Sequence, residues 1–117
     1  MIDLVKIAVI ILVLDLIWIR AVSGTIFTRM IENIQGSPLK IRPIGAIAAY
    51  VAIIMLFYMF VSETTSDFKA FMLGFLAYSI YDFTNLALFS KWELSASILD
   101  ALWGGTLFFL TKKLIFE

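Results

Sequence analysis

Apolar residues fall along the chain in four long runs separated by polar segments. The first covers 2–22 and is interrupted by Lys6 and Asp15; the second, 44–61, holds no charge. The third, 68–89, carries Lys69 at its start and Asp82 inside, and the fourth, 94–110, contains Asp100. A helix needs about 20 apolar residues to cross the hydrocarbon core of a bilayer, and each run reaches or approaches that length. The runs are continuous and do not alternate with period two, which fits helices and not the strands of a membrane β-barrel. The pattern predicts an all-α integral membrane protein, a single domain over 1–117 with four transmembrane helices at 2–22, 44–61, 68–89 and 94–110. The short polar segments Ser62–Asp67 and Ser90–Glu93 make successive helices antiparallel neighbours. The first run ends in Ala21-Val22-Ser23, which resembles a signal-peptide cleavage site. The chain nevertheless starts Met1-Ile2-Asp3 without a basic cluster, and Arg20 stands just before the site, so an uncut first helix is expected.

The first loop, Ser23 to Pro43, is the long one. Within it Ile26, Phe27, Met30, Ile31 and Ile34 recur at helical spacing, with Thr28, Arg29, Glu32 and Asn33 on the other side, until Gly36-Ser37-Pro38 ends the pattern. This amphipathic segment suits a helix lying flat at the membrane interface with its apolar face down. It suits equally an extension of the first helix into the headgroup region.

Composition sharpens the picture. The 117 residues are 62% apolar and 15% charged, with a mean hydropathy of +1.02. Soluble domains lie nearer about 45–50% apolar, and a chain this short has too much surface to bury such an excess. Four helices use about 80 residues, so four is also the ceiling. Net charge is zero, which offers nothing to a nucleic acid. The absence of Cys and His excludes disulfides, thiolate chemistry, His-ligated haem and the usual zinc sites, and no cofactor or metal is expected. Arg20, Arg29, Lys40, Arg42 and Lys91 lie on the side of the first and third loops, against Lys6, Lys69, Lys112 and Lys113 on the terminal side. Five against four, with four of the five around the first loop, places the first-loop side in the cytoplasm and both termini outside.

The chemistry lies in three intramembrane acids. An Asp near a helix centre costs about 2.5–3.5 kcal/mol on insertion scales, so three cost about 8–10, and residues this expensive normally face the protein interior. Asp15 lies seven residues before Val22, Asp82 seven before Phe89, and Asp100 six after Leu94. Helix rise puts all three about 9–10 Å below the first-loop boundary. Leu14-Asp15-Leu16-Ile17-Trp18 and Leu99-Asp100-Ala101-Leu102-Trp103 share a Leu-Asp-x-x-Trp pattern, which sets Trp18 beside Asp15 and Trp103 beside Asp100, each an N–H donor one turn along. Tyr78, Tyr81, Asp82 and Asn85 form a polar-aromatic face on the third helix, with Thr84 adjacent. The second helix offers only Tyr50 and Tyr58 as polar handles. Small residues at i and i+4, Gly45 with Ala49 and Ala70 with Gly74, together with Gly104, mark places for close helix approach.

Leu14-Asp15-Leu16-Ile17-Trp18, Tyr81-Asp82-Phe83-Thr84-Asn85-Leu86-Ala87 and Asp100-Ala101-Leu102-Trp103-Gly104 resemble, in order, the signature segments of an uncharacterised family of small predicted membrane proteins, domain of unknown function 2177. The Tyr-Asp-x-Thr-Asn block is the most specific of them; Leu88 departs from a pattern that often has Thr there. The resemblance implies a four-helix integral membrane protein and no established activity. The family occurs in bacteria, and in some large DNA viruses and eukaryotes, which implies an inner or plasma membrane, or a viral or organelle one.

Several roles fit the polar cluster. It can hold the helices together through interhelical hydrogen bonds. It can bind or transport a proton or cation, since three acids in low dielectric cannot all ionise unaided and the flanking rings offer faces to an organic cation. Paired aspartates can also act as general acid and base, but no Gly-x-Gly-Asp element or hydrolase motif accompanies them, so an enzyme is not expected. Beyond the lipid bilayer, the expected partners are a second copy of the chain or a larger membrane assembly, and no nucleic acid.

Overall fold

The computed structural model describes residues 2–117, and the statements below concern those residues. Helix α1 (Ile2–Trp18) runs without a break through a π-helical turn (Ile19–Ser23) into α2 (Gly24–Gln35). Helices α3 (Pro43–Phe60), α4 (Asp67–Leu88) and α5 (Leu94–Phe116) follow, and no strand occurs among the described residues. The last three are each long and apolar enough to cross a membrane. α1 has 17 residues as a regular helix, one fewer than α3, and is lengthened by the π turn.

Local signals explain the element ends. Pro43 opens α3, where a missing N–H costs nothing and the fixed φ suits a helix. Ser66 caps α4 by accepting the Lys69 amide at 3.1 Å. Gly36 closes α2 at φ 71°, a left-handed conformation that glycine adopts without strain, and its amide donates to the Glu32 carbonyl at 2.9 Å.

The π turn changes the register of the long helix. Ile7, Ile11 and Asp15 are buried at helical spacing. Two further turns would bring Val22 inward, yet Val22 is exposed and Ser23 is buried, with Met30 seven residues on. One inserted residue rotates everything after it by about 100°. That rotation lays the apolar face of α2 on the turn between α4 and α5. Met30, Trp92 and Ala96 form a small core there, Phe27 packs on Trp92 with ring centroids 5.8 Å apart, and the Glu93 amide points at Met30 Sδ. The amphipathic segment is thus an extension of the first helix, and its apolar stripe is covered by protein. Gly24 permits the turn, because a Cβ there would sit 2.5 Å from the Ile19 carbonyl oxygen.

The extended helix contacts are α3 with α1, α1 with α5, and α5 with α4. α3 and α4 share a short loop and meet at that end, where Phe57, Val61 and Ala70 join Phe108 in the larger core. The Phe57 and Phe108 rings meet edge to face at 5.4 Å. α4 and α5 pack most closely of all. A Cβ on Gly74 would collide with the Gly104 carbonyl oxygen, and one on Gly104 would enter the Tyr78 ring. Lys112 and Lys113 close the far end of this pair on Asp67, at 2.9 and 2.8 Å.

Gly45 and Ala49 do not mediate helix approach within this chain. Both are exposed, and nothing lies within 4 Å of a Cβ built on Gly45. The reason is rotational: α3 turns Tyr50, Ile53, Ile54 and Phe57 toward the bundle, and the Gly45–Ala49 stripe faces away.

Candidate functional site

The polar layer lies between the two apolar cores, with Ile7, Ile11, Phe57 and Phe108 below it and Met30, Trp92 and Ala96 above. Four helices contribute to it. Asp15 comes from α1, Tyr50 from α3, Tyr78 and Asp82 from α4, and Asp100 and Trp103 from α5.

Asp15 is 7% exposed and fully engaged. Trp103 donates its indole N–H to one carboxylate oxygen at 2.9 Å, and the Tyr50 hydroxyl donates to the other. Trp18 stacks on Trp103 with centroids 4.8 Å apart and planes 5° from parallel. The two Leu-Asp-x-x-Trp segments therefore interlock across the α1–α5 interface. This corrects the expectation that each indole serves the Asp on its own helix. Helical side chains project outward from their axis, so Trp103 meets the carboxyl of the facing helix. Trp18 Nε1 is buried and has no acceptor among the described residues.

Asp82 presents the opposite case. It is completely buried, and no hydrogen-bond donor reaches either carboxyl oxygen. Its acidic neighbour is the half-buried Asp100 of α5. Two ionised carboxylates are both acceptors and cannot bond to each other; a hydrogen bond between them needs one proton. Asp15 in turn lies close enough for its charge to act on Asp100, and Tyr78 stands among Asp15, Asp82, Asp100 and Tyr50. No group of three His, Cys, Asp or Glu side chains among the described residues is arranged to hold a metal ion.

Other expected members fall outside this centre. Thr84 is exposed, because two residues from Asp82 is about 200° around the helix. Tyr81 is 55% exposed and sets its ring edge-on to Trp92 at 6.1 Å. Asn85 is half-buried, with its amide beside the Tyr81 phenol. Ala70 is fully buried in the larger core, while Gly74 and Gly104 form the α4–α5 crossing next to Tyr78.

Ser97 is not marked by the sequence pattern, and Tyr50 stands out there only as a polar handle of the second helix. Tyr50 carried no charge or motif to mark it as the partner of Asp15. Ser97 is fully buried, accepts the Trp92 indole N–H at 3.0 Å and donates to the Asp82 main-chain carbonyl at 3.3 Å. Its position three residues before Asp100, on the same helix face, was the available signal.

Long apolar helices with polar groups turned inward and large apolar side chains outward define a helical, multi-pass membrane protein. The chain belongs to the family described as predicted membrane protein, domain of unknown function 2177 (DUF2177), whose model matches residues 1–114. No curated protein and no solved structure matches it. The family description gives membrane residence and names no activity.

Proposed function

We propose that the protein binds a proton between Asp82 and Asp100, inside the membrane, and that taking up and releasing it is the step on which its function in transport turns. The observation that carries this reading is the isolation of Asp82: 0% exposed, both oxygens without a donor, and another carboxyl as polar neighbour. A proton shared by the pair supplies the missing hydrogen bond and removes one of two like charges. Asp100, half-buried, is the exchange side of the pair, and Asp82 is the store. The role is one of binding and transfer, not catalysis of a covalent reaction.

Infrared spectroscopy of the protein in lipid tests this. A protonated-carboxyl band is expected at neutral pH, absent from Asp82→Asn and from Asp100→Asn and retained in Asp15→Asn. A native spectrum without that band, or its removal by Asp15→Asn alone, would overturn the proposal.

A second role stands beside it for Asp15 alone. Its two side-chain donors support a structural function, holding α1, α3 and α5 in register.

A further inference from the structure

The two ends of the molecule differ in charge in a way that pairing accentuates. At the terminal end Asp67 bridges Lys112 and Lys113, and Glu117 pairs with Lys113 at 3.0 Å. There four lysines face Asp3, Glu63, Asp67 and Glu117, a net charge of zero. At the first-loop end Arg20, Arg29, Lys40, Arg42 and Lys91 are all exposed, and none forms an ion pair among the described residues. Only Glu32 and Glu93 oppose them, leaving a net +3. Glu32 is already turned to the loop, accepting the Leu39 amide at 2.8 Å.

α2 organises this surface. Its apolar side is fixed on Trp92, so its polar side is held outward just beyond the membrane-crossing part of the long helix. Gly24, Thr25, Thr28, Arg29, Glu32 and Asn33 recur along that side and line a shallow cleft of about 440 Å³. Arg20 stands one turn before this cleft in the same continuous helix. Lys91 ties the end of α2 down by donating to the Asn33 carbonyl at 3.3 Å. Hydroxyl donors beside an unpaired guanidinium suit a phosphate, which takes charge-assisted and bidentate hydrogen bonds from Arg.

We propose that this face binds the phosphate headgroups of anionic phospholipids in the protein's own bilayer, with Arg29 in the cleft and Arg20 one turn before it. The site is separate from the carboxyl pair and does not depend on its role. A basic side chain near an anionic membrane surface strengthens binding by about fivefold.

Native mass spectrometry of the purified protein, offered phosphatidylglycerol or phosphatidylcholine, tests the proposal. Phosphatidylglycerol is expected to be retained and phosphatidylcholine lost. Arg29→Gln and Arg20→Gln should each weaken retention by about fivefold, and the double variant by more. Lys69→Gln, an exposed lysine on the terminal side, should retain lipid as the native chain does. Equal retention of the two lipids, or a loss in Lys69→Gln as large as in Arg29→Gln, would overturn the proposal. Displacement of the lipid by millimolar inorganic phosphate would assign the cleft to free phosphate and overturn it as well.

Discussion

Asp15 and Asp82 occupy the same polar layer, are nearly equally buried and differ in what surrounds them. Asp15 receives an indole N–H and a phenol O–H from two other helices, so its charge is met by fixed donors. Asp82 receives none, and faces a second acid. A buried acceptor with its donors in place is a joint between helices. A buried acceptor without them is incomplete until something small and positive arrives. Burial alone therefore does not distinguish these two carboxyls; the inventory of donors does.

The comparison breaks most visibly at Asp15. Asp15→Ala leaves the Tyr50 and Trp103 donors unmet in an apolar interior, at a cost of about 1–3 kcal/mol for each. Unfolding in mixed micelles should show that loss, and Asp15→Asn should recover most of it, since the amide can accept from Trp103 and donate to Tyr50. A smaller loss in Asp15→Ala than in Asp82→Ala would invert the assignment.

Gly74→Ala moves the other region alone. The new Cβ meets the Gly104 backbone, which cannot step aside as a side chain can, and overpacking of this kind costs about 1–3 kcal/mol. It should also part α4 from α5 and shift the Asp82–Asp100 carboxyl band while leaving the Trp18–Trp103 emission unchanged. Altered indole emission with an unmoved carboxyl band would show that the two regions are mechanically one.

Asp82→Asn should be close to neutral or stabilising, because an amide can donate to Asp100 without a borrowed proton. A thermal-stability measurement checks this, and a loss comparable to Asp15→Ala would make Asp82 a joint too. The smallest effect belongs to Gly45→Ala, on the helix that carries Tyr50. With nothing within 4 Å of the added atom, stability should change by less than about 0.5 kcal/mol. A larger change, dependent on protein concentration, would reveal a second copy packed on α3.

Much of this was legible in the sequence, for reasons that differ from residue to residue. Helix rise alone gives Asp15, Asp82 and Asp100 a common depth, because that distance depends on a residue's place in its span and not on its rotation. Rotation is what the pattern leaves open. Trp103 serves Asp15 and not Asp100, and Tyr81 turns toward Trp92, because side-chain direction is settled by the facing helix. The Gly45–Ala49 and Ala70–Gly74 stripes look alike as sequence, yet only the second is packed against a neighbour. Small residues state that an approach is possible and do not name the partner. The apolar stripe of α2 is similarly neutral between lipid and protein, and the π turn that decides the matter leaves little trace beyond Gly24.

The Gly74–Gly104 crossing also bears on how such acids enter a membrane at all. A helix with a lone Asp near its centre meets insertion with a penalty of about 2.5–3.5 kcal/mol. α4 and α5 are joined by a short turn, clasped at the other end by Asp67 with Lys112 and Lys113, and pressed backbone to backbone between. The two helices form one closely packed hairpin, and under the proton sharing proposed above a single captured proton would neutralise part of the charge that each helix otherwise carries into the lipid unaccompanied.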